Sequence, residues 1–165
     1  MAESGSDRIV PLDKLKGFKI AKRDHDPRKW EVLASDGRSV GKVNDLLIDT
    51  RAQKVRYLDV RLKKGLVDSE HTVHVLVPIG NARLHPDDKR VYVEQMDAET
   101  FTRLPEYGQE PLTREHEDFL RQRIDSAYRP GTVPEEEYYE DRMYDAERFN
   151  REAPSPSEGE QPPPA

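Results

Sequence analysis

SVGKVNDLLIDTRAQKVRYLDVRL, residues Ser39 to Leu62, decides the fold. It reads as two β-strands joined by a short polar turn. The first runs from Ser39 to Ile48, with Val40, Val43, Leu46, Leu47 and Ile48 as its apolar set. The second runs from Lys54 to Leu62, with Val55, Tyr57, Leu58, Val60 and Leu62. Apolar residues of this kind, many β-branched or aromatic and bounded by turn residues, are the signature of strands. In the second strand the alternation changes phase between Tyr57 and Leu58, which calls for a bulge or for burial of both faces. Gly41 inside the first strand marks a tight bend, as at a barrel corner. Asp49 closes the first strand, and Arg56 and Asp59 are embedded in the second.

Working outward, Trp30 to Leu33 is a short strand, and Asp36-Gly37 turns it into the strand at Val40. His71 to Pro78 alternates as a further strand, and Arg90 to Glu94 is the last. Five or six strands this short cannot bury a core as one open sheet. The expected architecture is mainly β: a small, closed or nearly closed antiparallel barrel, because closure removes exposed edges. Asp97 caps a short helix that plugs one end of the barrel. Thr113 caps a second helix, with Phe119, Leu120, Ile124, Ala127 and Tyr128 as its apolar stripe. A third, weaker helix is expected from Pro134 to Phe149. The organisation is then an extended arm over 1–29, the barrel over 30–107, a linker and helix over 108–133, and an acidic helix with a Pro-rich tail over 134–165. The last stretch, APSPSEGEQPPPA, is low-complexity and is expected to be disordered or extended unless a partner holds it.

Composition supports this division. Of the 165 residues, 34% are hydrophobic and 36% charged, too polar for one compact globule using the whole chain. From Pro134 to Ala165 there are ten acidic residues and three arginines, so the net charge of −6 resides in the tail and the remainder is near +1. A nucleic-acid binder usually shows a basic face, and none is expected here. There is no cysteine, hence no disulfide framework and no thiolate metal site. No apolar run approaches the roughly 18 residues of a membrane span, and MAESGSDRIVPL has no signal-peptide core. A cytoplasmic protein is expected.

Motifs for catalysis are missing. There is no His-Glu-x-x-His, no phosphate-binding glycine loop and no nucleophile elbow, so no enzyme is expected. His71 and His74 are three apart on a strand and point to opposite faces, which argues against a metal site. Asp49, Arg56 and Asp59 allow two readings: a salt-bridge cluster at the barrel rim, or a polar path along which carboxylates of tuned pKa pass protons. Tyr138, Tyr139, Tyr144 and Phe149, set among acidic residues, read as a docking segment or as a frayed solvated helix.

DGRSVGKVNDLLIDTRAQKVRYLDV followed by VLVPIGNARLHPDDKRVYVEQMDAETFTRLPEY resembles the PRC-barrel domain. That module occurs in the H subunit of photosynthetic reaction centres and in a ribosome maturation factor. The flanks resemble the H subunit: Arg8, Ile9 and Pro11 with Gly17-Phe18 before the barrel, and Leu104-Pro105 with Thr113, Glu117 and Asp118 after it. The resemblance implies a non-catalytic subunit that caps the membrane core of a reaction centre on its cytoplasmic face and shields the secondary quinone site or assists its protonation. Bacteriochlorophyll and quinone would be carried by the partner subunits, with no cofactor bound directly. The family's strand-ending aspartate falls on Asp49 and its arginine on Arg56, whereas its relay glutamate falls on Ala52 and its surface histidines near Ser4 and Ser6. The family's transmembrane helix has no counterpart here, so the resemblance implies a peripheral protein held by contacts with the core or by a separate anchor polypeptide. The competing reading is a free-standing soluble PRC-barrel adaptor that binds another protein or RNA.

Two expectations separate these readings and test the tail. An arm that lies on a membrane protein favours the reaction-centre reading, and an arm that folds back on the barrel favours the adaptor. Removing Pro134 to Ala165 is expected to leave the thermal transition of the barrel nearly unchanged.

Overall fold

The computed structural model describes residues 8–15, 26–108 and 111–145. Gly17, Phe18, Phe149 and the Pro-rich tail lie outside the described residues. The strands are β1 (Ile9–Pro11), β2 (Glu31–Leu33), β3 (Ser39–Asp49), β4 (Lys54–Leu62), β5 (His74–Pro78), β6 (Ala82–His85) and β7 (Arg90–Val93). They form one seven-stranded sheet in the order β5-β4-β3-β2-β7-β6, with β1 paired to β3 off that path.

Connectivity shows why the sheet must curl. β5 and β6 stand at opposite ends of the path, yet only the 3₁₀ turn Ile79–Asn81 joins them. Six strands laid flat would hold those ends roughly 24 Å apart, whereas three residues reach at most about 10 Å. The mainly β architecture is therefore a strongly curved, barrel-like sheet. One pairing departs from the antiparallel pattern: β2 runs parallel to β7. β6 carries few apolar residues and was not among the strands legible in the sequence. The strand expected from His71 begins only at His74.

β3 holds the sheet together. It pairs with β4 along one edge, and its other edge is shared by β2 at the Ser39 end and β1 at the Asp49 end. Its register slips twice against β4, between Val43 and Asp45 and between Leu47 and Ile48. The phase change in β4 is burial of both faces: every residue from Arg56 to Val60 is buried. Gly41 marks the close approach of the two strands. A Cβ there would lie 2.1 Å from the Arg61 carbonyl oxygen.

The helices are capped as their sequences require. Asp97 accepts a bond from the Thr100 amide at the start of α1 (Ala98–Thr102), and Phe101 of that helix is fully buried in the core. Thr113 accepts from the His116 amide at the start of α2 (Arg114–Ile124). The inward face of α2 corrects the expected stripe. Phe119 is 46% exposed, while Glu117 and Arg121 are buried beside Leu120.

The segment after Val133 also departs from expectation. It is not a helix but two 3₁₀ turns, Glu135–Glu140 and Arg142–Tyr144, broken where Asp141 is extended. Asp141 instead caps the second turn by accepting from the Met143 amide. This strap lies on the barrel. Tyr138, Tyr139, Met143 and Tyr144 join the core cluster, and the backbone of Arg142 and Met143 lies where a side chain on Gly80 would be, 1.9 Å from its Cβ position to the Arg142 carbonyl oxygen. This packing argues against the expectation that the tail is dispensable to the barrel.

Candidate functional site

Arm, barrel, α2 and strap meet in a buried polar cluster. At its base Asp49, with no solvent exposure, receives both Nε and Nη2 of Arg8, at 2.7 and 2.8 Å. Arg56 Nε donates to the same carboxylate at 3.0 Å, and the backbone N–H groups of Arg51 and Ala52 complete its shell. β1 exists where it does because Ile9 registers against Asp49, which places Arg8 one residue beyond the strand end. Burial alone would push the Asp49 carboxyl up; the hydrogen bonds from Arg8, Ala52 and Arg56 outweigh it and hold the group below the ordinary carboxylate range. Arg56 spans to the strap, its Nη1 donating to the Tyr144 carbonyl at 2.9 Å.

A second carboxylate sits above. Glu117 is wholly buried. Its Oε2 accepts from the hydroxyls of Tyr57, at 2.8 Å, and of Tyr139. Arg114 Nη1 stands 3.2 Å from Oε1, close enough for an ion pair but without hydrogen-bond alignment. Burial raises the Glu117 pKa, opposed by Arg114 and by the two tyrosine bonds. Burial, followed by the charge of Glu117, pushes the hydroxyls of Tyr57, Tyr139 and Tyr144 up, so all three stay neutral donors.

Guanidinium groups and rings interleave around this pair. Arg114 stacks over Tyr138 at 3.6 Å, Arg8 over Tyr139 at 4.7 Å, and Arg121 over Tyr128 at 4.3 Å. Arg121 also donates to the Tyr138 carbonyl and to Asp141, while the Tyr128 and Tyr138 hydroxyls both reach Asp118. Such stacking is strongest where the cation is desolvated.

The sequence grouped Asp49, Arg56 and Asp59; the fold pairs Asp49 with Arg56 and sets Asp59 apart. Asp59 registers against Asp45, four positions along β3 from Asp49. It is held by His74 Nδ1 at 2.8 Å and by Asn44 at 3.0 Å. Tyr138, Tyr139 and Tyr144, read as partner-binding, are buried against the chain's own arginines, because those arginines and Glu117 offer the strap better partners than water does. Of the arm residues, Arg8, Ile9 and Pro11 engage β3 itself. Glu117, Arg114 and Arg121 had no assigned role beyond the flank pattern. Their signal was the coincidence of an arginine-rich α2 with a tyrosine-rich segment after it. Among the described residues no group of three or more His, Cys, Asp or Glu side chains is arranged to hold a metal ion.

The arrangement locks segments to one another. Each oxygen of Asp49 and one of Glu117 is engaged by donors from separate elements. The strands that carry these groups also answer the question of kinship, since residues 19–99 match the PRC-barrel domain family. A PRC-barrel domain is present in this chain. The match spans β2 to β7 and the start of α1, so the PRC barrel supplies Asp49, Arg56 and Tyr57, while Arg8, Glu117 and the strap tyrosines come from outside the matched residues. No helix among the described residues is long and apolar enough to cross a membrane.

Proposed function

We propose that the protein is a non-catalytic, free-standing PRC-barrel adaptor that binds another protein through its outer surface. β1 carries this reading. The described part of the arm, residues 8–15, folds back onto β3 and buries Ile9 and Leu12 within the chain, so these residues need no membrane protein to cover them. The strap supports the same reading, since its tyrosines are spent on the chain's own arginines. An adaptor needs a rigid, self-sufficient body, and the arginine–tyrosine cluster makes arm, barrel and strap one unit.

The second reading is the cytoplasmic subunit of a photosynthetic reaction centre. The flanks favour it. In that reading the barrel caps the membrane core from the cytoplasmic face and shields the secondary quinone site of its partners, held there by core subunits or a separate anchor polypeptide. The flank residues that resemble the H subunit have internal duties in this chain: Arg8 binds Asp49, Thr113 caps α2, and Glu117 is the buried carboxylate. They therefore speak for a shared architecture more than for a shared partner. Proton transfer through Asp49 has no support in its geometry, because a carboxylate held low by two arginines gives no proton up and takes none near neutral pH.

Gentle solubilisation of native membranes, density-gradient separation and mass spectrometry test the choice. The adaptor reading expects the chain outside the pigmented fractions, with in-cell cross-links to one non-pigmented protein. Near-stoichiometric recovery with the pigmented complex replaces it by the reaction-centre reading.

A further inference from the structure

The outer face of the β3–β4 pair carries an electrostatic defect. Lys42 stands directly opposite Arg61 in the register, and both side chains are exposed. Like charges directly opposite each other destabilise an antiparallel pair. Neither has an ion-pair partner among the described residues, and two of the nearby acids are committed elsewhere: Glu31 to Arg90, and Asp59 to His74 and Asn44. Lys63 and Lys64 follow at the end of β4, exposed and likewise unpaired among the described residues. All four cations line one cleft of ≈ 420 Å³ between β3, β4 and the loop before β5. Glu70 is the one carboxylate lining it. Four cations less Glu70 leave three positive charges in that space, on a chain whose net charge is −6.

We propose that this cleft binds a ligand bearing two or more phosphate groups. The volume falls within the range of small-ligand sites, about 300–1,000 Å³. Charge density decides the class. Two phosphate groups carry roughly three to four negative charges in a space that a peptide with as many carboxylates would overfill. Arg61 supplies a planar fork for two phosphate oxygens and the lysines supply point charges. Thr72 lines the same cleft and adds a hydroxyl. A bound polyanion cancels the repulsion between Lys42 and Arg61, so the filled cleft is the more stable one. The inference is independent of which assembly holds the barrel.

Calorimetric titration of the full chain with inorganic pyrophosphate at low ionic strength tests it, alongside sedimentation with vesicles containing cardiolipin, a lipid whose headgroup carries two phosphates. The site expects pyrophosphate binding that falls at least tenfold in the Lys42→Gln/Arg61→Gln double variant and is retained in Arg51→Gln. It also expects the double variant without ligand to melt ~1–3 °C higher, because a repulsion has been removed. A residue pair kept only for stability would melt lower. Sedimentation with vesicles but no pyrophosphate binding, lost in the same double variant, assigns the phosphates to a lipid headgroup. Absence of binding to both probes, or binding that survives the double substitution, overturns the proposal.

Discussion

Single residues decide how tightly arm and strap are held. Asp49→Asn leaves two arginines facing one neutral amide, and breaking a buried pair in this way costs ~3–5 kcal/mol. The expected outcome is a lower urea midpoint with the same fold by circular dichroism. Gly80→Ala pushes a methyl group into the backbone of Arg142 and Met143. Overpacking of this kind costs ~1–3 kcal/mol, and the change in amide shifts should centre on the strap. The two buried carboxylates respond to pH in opposite senses. Glu117 has its pKa raised, so the folded state takes up a proton first, and stability rises as pH falls from the folded value toward the unfolded one near ~4.3. Asp49 has its pKa lowered, so its contribution is complete above about pH 4 and is lost as pH falls through the folded value. Urea midpoints measured between neutral pH and pH 3 should therefore rise and then fall. Glu117→Gln should remove the rise and keep the fall.

At the scale of elements, the strands were legible and the segments that seal them were not. The β3–β4 hairpin, the cap at Asp97 and the cap at Thr113 were all readable, because apolar spacing and cap residues act locally. β6 was not, since Arg83 and His85 interrupt a four-residue strand whose existence depends on β7 beside it. The stripe of α2 was read correctly in part: Leu120 and Tyr128 are buried and Ile124 packs on the core, but Phe119 is exposed. An apolar stripe implied that Phe119 faces inward, yet the face that buries Glu117 and Arg121 prevails, because the strap brings them tyrosines and a carboxylate. That exchange joins residues 22 apart in Tyr139 and Glu117, and 88 apart in Tyr144 and Arg56. Local pattern cannot register partners at such distances. The same lesson applies to the Asp49 site: its charge was visible, but Arg8 as its closest partner was not. Ending the chain at Val133 should cost more than ~4 kcal/mol, the burial of a single tyrosine at the usual area coefficient. A thermal transition within a few degrees of the full chain's would mean that the strap contributes little.

Over the whole molecule, both sealing segments converge on one end of the barrel. The arm enters beside Asp49 from one side, and the strap covers Arg56, Tyr57 and Gly80 from the other. The opposite end holds the unpaired cations and has no such cover among the described residues. The molecule is thus closed where the arm and strap pack and open where Lys42 and Arg61 face solvent. Unfolding should be one cooperative transition, with amide exchange in β1 and β3 slowing together. Earlier exchange of Val10 than of Ile48, its partner in the register, would show that the arm opens on its own. The reach of Arg56 to Tyr144, 88 positions later, has a temporal side. A ribosome adding about 5–20 residues per second takes roughly 4–18 s to cover that interval. For those seconds the newborn barrel holds Arg56 and Tyr57 without the last turn that covers them. High contact order makes this closure the late step of folding, and a chaperone that recognises open arginine–tyrosine surfaces would find its target only in chains whose synthesis is not yet finished.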